Sequence, residues 1–319
     1  MATIAITGSS GFVGGRFAQR LARRPGIEAR ALVRRGKPPQ LPDDGRLAIV
    51  RGDITDAPVL AQLLNPGCAV VNFAFDAAAP AQANLAAADA LAEACLKHGV
   101  RRLVHCSTAV VAGRTRASRI DEATACHPST EYERTKLAIE NLLRDRARGR
   151  FELAILRPTA VFGPGGRNLL KMARDLTQSS RLANYVRSSA HCRHRLHLVH
   201  VDNVVAAAEF LVATAGPVDQ EIFIVSDDDA PENNFRDVER YLMRAFGIAE
   251  YTVPRVALPS AALALLLRLR GRSLINPDAV FAGDKLRSRD CARPVDFASG
   301  IAAFAEWYKN TVAAKAGAN

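Results

Sequence analysis

Apolar residues along the first half of the chain come in short, nearly unbroken runs, separated by longer stretches in which they recur every three or four positions. The runs predict strands at Thr3 to Thr7, Ala29 to Val33, Leu47 to Arg51, Ala69 to Ala74, Arg102 to Ser107 and Glu152 to Arg157. The stretches between them predict helices, notably at Arg16 to Arg24, Asn84 to Lys97 and Ser129 to Arg146. Strand and helix in strict alternation give an α/β fold built on a doubly wound parallel sheet. After Pro158 the regularity loosens. Gly163-Pro164-Gly165-Gly166 breaks the chain and a polar stretch runs to Arg195. Arg195 to Ala213 then reads as strand and helix, Ile222 to Val225 as a strand and Phe235 to Phe246 as a helix.

The first strand leads into Thr7-Gly8-Ser9-Ser10-Gly11-Phe12-Val13-Gly14. In such a turn the first glycine permits the tight bend, the second lets backbone approach a pyrophosphate, and the third lets the helix pack on the strand. Gly8, Ser10, Gly11, Phe12, Val13 and Gly14 therefore predict a Rossmann-type dinucleotide site with the helix N-terminus facing the phosphates. The predicted organisation is a dinucleotide-binding domain of 1–163 plus 196–226, and a smaller, discontinuous C-terminal substrate domain of 164–195 plus 227–319. Further on, Tyr132 and Lys136 stand at i and i+4, so both project from one helix face and can share one cofactor.

With Ser107-Thr108 between these two motifs, the chain resembles the extended branch of the short-chain dehydrogenase/reductase family, whose members include nucleotide-sugar epimerases, dehydratases and reductases. Further motifs carry the resemblance along nearly the whole chain: Arg51-Gly52-Asp53-Ile54, Asn72-Phe73-Ala74, Asn84, Leu156-Arg157-Pro158, Val161-Phe162-Gly163-Pro164-Gly165 and Val199-His200-Val201-Asp202-Asn203-Val204. The resemblance implies cofactor contacts at Asp53, Ile54, Phe73, Ala74, Asn84 and Pro158. It also implies proton transfer by Tyr132, a ribose contact from Lys136, and a substrate-binding hydroxyl from Thr108, with Ser107 as the close second choice. Asn168, Arg193 and Arg195 are the substrate contacts it implies, an arginine before the Val-His-Val-Asp strand reaching a substrate phosphate.

Free tyrosine is a poor base at neutral pH, and a nearby lysine ammonium together with a positive nicotinamide ring would favour its phenolate. Cofactor choice turns on the end of the second strand, where an Asp or Glu would accept hydrogen bonds from the ribose hydroxyls of NAD(H). Arg34 and Arg35 stand there instead, and a guanidinium pairs with phosphate, so NADP(H) is the expected cofactor and NAD(H) the alternative. Departures from the family pattern narrow the reaction. The family's sugar enzymes commonly have Tyr-Gly where Ala112-Gly113 stand, and its dehydratases carry Asp-Glu where Ala109-Val110 follow Thr108. The expected activity is an NADP(H)-dependent reduction of a keto group of a nucleotide sugar, a 4-keto sugar, in surface polysaccharide synthesis. A nucleotide-sugar 4-epimerase and a hydroxysteroid-dehydrogenase-like enzyme of an apolar alcohol or ketone are the rivals.

Composition fits an enzyme with a large core: 319 residues, 49% hydrophobic and 24% charged. The net charge of +11 suggests anionic ligands, yet aromatics are not interleaved with a compact basic patch, so a nucleic-acid partner is not expected. Six scattered cysteines without a Cys-x2-Cys pair predict reduced thiols. The sequence holds no run long enough to span a bilayer, so a cytoplasmic location without stable membrane insertion is expected. Leu258 to Leu267, followed by Arg268, Arg270 and Arg272, reads either as a buried helix or as an amphipathic lid or membrane-surface contact. His191, His194, His197 and His200 recur every third residue beside Cys192. On a loop running into an extended strand such neighbours point to opposite faces, so no metal site is expected. Leu85, Leu91 and Leu96 on one long helix and Leu137, Ile139, Leu142 and Leu143 on the other exceed one sheet-facing stripe, which predicts a homodimer.

Overall fold

The computed structural model describes residues 2–34, 47–191, 194–254 and 279–313, and divides into two compact units. The first comprises Met1–Val111, Thr130–Arg157 and Val204–Phe223, the second Ala112–Ser129, Pro158–Asn203 and Ile224–Asn319. Relative to the division read from the sequence, 112–129, 158–163, 196–203 and 224–226 fall with the second unit.

The first unit is organised on a seven-stranded sheet. Its chain order is β1 (Ala2–Thr7), α1 (Phe12–Ala22), β2 (Ile27–Val33), β3 (Leu47–Arg51), α2 (Ala57–Leu63), β4 (Ala69–Asn72), α3 (Ala81–Lys97), β5 (Arg102–Cys106), α4 (Glu131–Ala147) and β7 (Glu152–Pro158), with the short β6 (Arg119–Ile120) intervening. With β10 (Glu221–Val225) at one edge, the strands lie in the order β10-β7-β5-β4-β1-β2-β3. The pairings from β3 through β7 are parallel, so both faces must be covered. All four residues of β4 are buried accordingly, as is every residue of β7 after Glu152. A core of Leu60, Val70, Leu91, Leu103, Ile139 and Leu143 with their neighbours joins sheet to helices.

Element ends differ from the sequence reading where local polar chemistry decides them. β4 stops at Asn72, whose Oδ1 accepts the Ala74 N–H at 3.0 Å and turns the chain out of the sheet. α1 starts at Phe12, directly after the glycine turn, and α3 at Ala81, after Pro80. α4 starts at Glu131 because Thr130 and Glu133 form a reciprocal capping box, with N–H to side-chain distances of 3.2 Å each way.

The second unit holds two parallel strand pairs, β8 (Ala160–Phe162) with β9 (Leu198–His200) and β6 with β11 (Val280–Phe281). Around them lie α5 (Leu170–Gln178), α6 (Arg181–His191), α8 (Phe235–Ala245) and α9 (Phe297–Trp307), α7 (Val201–Ala213) following β9 directly. Its core gathers Phe162, Leu198, Val238, Leu242, Phe304 and Tyr308. The polar stretch after Pro158, read from sequence as irregular, is two helices. Among the described residues no helix is long and apolar enough to cross a membrane. The Leu258 to Leu267 segment lies outside the described residues.

Candidate active site

β1 ends in a turn that only glycine can make at two positions. Gly8 has φ +71°, and a Cβ there would lie 2.5 Å from the Phe73 carbonyl carbon. A Cβ on Gly14 would come 2.3 Å from the Gly8 carbonyl oxygen, where only backbone could yield. Gly11 is the N-cap of α1 and supplies no side chain to the exposed N–H groups of the first turn. Ser9 Oγ donates to the Leu32 carbonyl at 2.6 Å and fastens the turn to β2. A helix N-terminus left uncapped, beside a backbone approachable to within ordinary contact, fits the pyrophosphate of a dinucleotide.

The turn borders a cleft of about 350 Å³ lined by Gly8, Ser10, Gly11, Arg34, Asp53, Ile54, Phe73, Ala74 and Asn84, all of them anticipated as cofactor contacts. Phe12, Val13 and Gly14 form the first turn of α1, and Pro158 is the last residue of β7. Arg35 lies outside the described residues. Asn84 is less free than its predicted role suggests: its Oδ1 accepts the Asp76 N–H and its Nδ2 donates to the Asp76 carbonyl, both at 2.9 Å. The amide thus holds the loop between β4 and α3 in shape. The Asp53 carboxylate accepts the Thr55 N–H at 3.0 Å and the Thr55 hydroxyl at 2.8 Å, which holds its pKa below the usual carboxylate value. Arg34 is paired with Asp76 at 3.1 Å, both half open to solvent, an acid the sequence reading did not single out.

Tyr132 and Lys136 do share one face of α4, and both meet a residue sequence reasoning missed. Phe75 takes the Tyr132 ring edge-on, centroids 5.3 Å apart at 88°, and lies 4.6 Å below Lys136 Nζ. Thr108 is buried, and its hydroxyl lowers the Tyr132 pKa. Ser107 is buried too, but its hydroxyl has no partner among the described residues. Lys136 is buried and donates to the Cys106 carbonyl at 3.1 Å. In the chain without cofactor, burial raises the Tyr132 phenol above its usual pKa, the Thr108 hydroxyl draws it back and Cys106 raises it again. Burial in turn lowers the Lys136 pKa, opposed by Cys106 and Glu140. Tyr132 in this chain is a protonated phenol, suited to give a proton rather than take one.

In the second unit Asn168 lines a cavity of about 610 Å³ with Lys171, Arg187, His191 and His194. Asn168 Nδ2 donates to the Val161 carbonyl at 2.6 Å, while Asp175 holds Lys171 at 2.7 Å and Arg187 at 3.1 Å. Arg195 donates to the Asp228 carbonyl at 3.1 Å and does not border that cavity, and Arg193 lies outside the described residues. From His194 the histidine run is a loop entering a strand, as read from the sequence: His197, with φ 50°, lies on the loop and His200 ends β9, while His191 closes α6. His197 Nδ1 meets the buried Asp228 carboxylate at 2.6 Å. Among the described residues no three His, Cys, Asp or Glu side chains gather to hold a metal.

A glycine-turned Rossmann sheet bearing a hydroxyl, a tyrosine and a lysine in contact defines an enzyme of the short-chain dehydrogenase/reductase type. The chain belongs to the NAD dependent epimerase/dehydratase family, whose sequence pattern matches residues 4–225. It is 26% identical to a dTDP-glucose 4,6-dehydratase of Streptomyces antibioticus over 96% of this chain and 92% of the relative. It is 33% identical to a D-erythronate dehydrogenase of Cupriavidus necator over 52% of this chain and 57% of that one. The fold is shared with the Bordetella bronchiseptica enzyme WbmH, solved in complex with NAD+, at a TM-score of 0.74 and 18% identity over 98% and 99% of the two chains.

Proposed function

We propose that this chain is an NADP(H)-dependent oxidoreductase that reduces a keto group of a nucleotide sugar. The observation that carries the reading is the turn Ala109–Ala112 after Thr108, which offers no acid or base, on a chain whose Tyr132 phenol is raised above its usual pKa by burial. Elimination of water from a sugar needs a further proton donor and acceptor at the substrate, and Ala109 and Val110 supply neither. Reduction needs only a donor to the keto oxygen. When bound, the nicotinamide supplies the hydride. Thr108 and Tyr132 then hold the keto oxygen between two hydroxyls, Tyr132 gives its proton to the forming alkoxide, and Lys136 keeps a positive charge near the ribose. The full-length dehydratase relative supports the nucleotide-sugar class, and the dehydrogenase relative supports net redox chemistry.

Incubation of the purified chain with NADPH and a panel of nucleotide keto sugars should consume nicotinamide absorbance in step with substrate. Sugar turnover with no change in absorbance would instead support the 4-epimerase reading, which the Arg34–Asp76 pair favours by occupying the phosphate-seeking guanidinium.

The NADP(H) preference rests on Arg34. Arg34→Ala should weaken NADPH by roughly ten- to a hundredfold, the worth of a charge-assisted hydrogen-bond pair, and leave NADH nearly unchanged. Asp76→Asn should strengthen NADPH by releasing the guanidinium. Equal affinity of the unaltered chain for the two cofactors would sink this assignment.

A homodimer seamed by α3 and α4 belongs to the same proposal. Leu91, Ile139 and Leu143 are buried in the chain's own core and the half-buried Leu85, Leu96 and Leu142 pack against it, so a partner would meet Leu137 and the remaining open surface of those three. Light scattering at tens of micromolar that gave a mass near 34.3 kDa, the mass of one chain, would contradict it.

A further inference from the structure

At the carboxyl ends of three neighbouring strands the parallel register sets Thr7 of β1 beside Asn72 of β4, and Asn72 beside His105 of β5. Paired positions on adjacent strands project to the same face, so the three side chains form a polar row across the sheet. All three residues are buried. Asn72 Oδ1 accepts the Thr7 hydroxyl at 2.6 Å and the Ala74 N–H at 3.0 Å, which fixes that end of the amide as oxygen. Its Nδ2 therefore donates to His105 Nδ1, 3.1 Å away, and the imidazole proton must sit on Nε2. Burial, aided by the nearby Lys136 charge, holds the His105 pKa well below its usual value, so the ring is neutral.

The Nε2–H is buried and has no partner among the described residues. His105 lines the glycine-turn cleft, whose lining combines apolar Ala87, Ala88 and Ile139 with polar Asp53, Asp76 and Asn84. Buried donors in folded proteins are nearly always satisfied, and a phenylalanine would fill the same space without the need. Side chains of two neighbouring strands are instead arranged to set the tautomer of one ring on a residue that lines the cleft.

We propose that His105 is a cofactor-binding residue whose Nε2–H donates to an oxygen of the dinucleotide held in the cleft. This rests on the reading of the cleft as a dinucleotide site. The assignment lies outside the Thr108, Tyr132 and Lys136 machinery, and it gives Thr7 and Asn72 a task as well, that of orienting His105.

The test is calorimetric titration of the purified full chain with NADP+, NAD+ and ADP-ribose, alongside thermal melts. His105→Asn keeps a polar partner for Asn72 but withdraws the outer donor, and His105→Gln restores a donor near the Nε2 position. His105→Asn should weaken dinucleotide binding by about tenfold, the consequence of leaving a buried acceptor unpaired, with little change in melting temperature. His105→Gln should recover most of the affinity. Loss shared by ADP-ribose places the acceptor in the ribose–phosphate half, and loss confined to the full dinucleotides places it in the nicotinamide half; either supports the assignment. Binding by His105→Asn within twofold of the unaltered chain overturns it, as does equal loss in both variants that follows their melting temperatures. If the unaltered chain binds none of the three ligands, the dinucleotide reading fails and takes this inference with it.

Discussion

Tyr132→Phe should lose at least roughly 10²-fold in turnover and retain cofactor binding, the size of effect expected when a positioned proton donor is removed. The substitution is clean because the ring stays: its edge-on packing against Phe75 at 5.3 Å needs no hydroxyl, and Phe75 also supports Lys136. What goes is the phenolic proton. The pH dependence carries a second check. A phenol raised above its ordinary pKa of 10.0 is protonated throughout the neutral range, so the rate of reduction should be level there. It should fall only as pH rises through that raised pKa, because the donor form exists below it. A rate that instead rises across neutral pH would mean Tyr132 acts as a phenolate. Near-normal turnover in the phenylalanine variant would remove it from the mechanism.

The parts of this architecture that were legible in the sequence are those in which backbone geometry leaves one choice of residue. Gly8 and Gly14 are dictated by backbone atoms 2.5 Å and 2.3 Å from any Cβ, and strands covered on both faces leave continuous apolar runs. Tyr132 and Lys136 were legible as a shared helix face, but spacing fixes a direction and not a depth. Only the structure shows Lys136 buried against the Cys106 carbonyl. Phe75 was missed because it sits on a loop whose course depends on Asn84 gripping the Asp76 backbone, a contact without local periodicity. α6 was missed for a related reason. Its anchors are tertiary: Arg181 donates to the Ala249 and Glu250 carbonyls at 2.8 Å, Tyr185 Oη donates to the Pro254 carbonyl at 2.9 Å, and Ser188 donates to the Glu239 carboxylate. A polar helix held by such bonds gives little signal along the chain, and with it Lys171 and Arg187 lost their shared cavity.

Glu140→Gln should destabilise the first unit by about 3–5 kcal/mol, because it breaks a buried ion pair by removing one partner. Glu140 stands one turn beyond Lys136 on α4, and Arg157 stands near the end of β7. Arg157 meets the carboxylate with both prongs, Nε to Oε1 at 3.0 Å and Nη2 to Oε2 at 2.6 Å, and both side chains are almost fully buried. A bidentate pair of this kind fixes direction as well as distance, so it sets the pitch of the helix that carries Tyr132 and Lys136 against the sheet. With the carboxylate gone the guanidinium keeps its charge in a buried site. The melting temperature should fall by roughly 6–20 °C, taking about 2–4 °C per kcal/mol for a domain of this size. The double replacement Glu140→Leu with Arg157→Met separates charge from shape. Stability should return, since an apolar pair of similar volume avoids the desolvation of both ions. Turnover should not return in proportion, because Leu and Met can fill the space without fixing the angle of α4. A Glu140→Gln variant that melts within two degrees of the unaltered chain would show that Arg157 finds another partner, and the pair would then lose its place as the strut behind the catalytic helix.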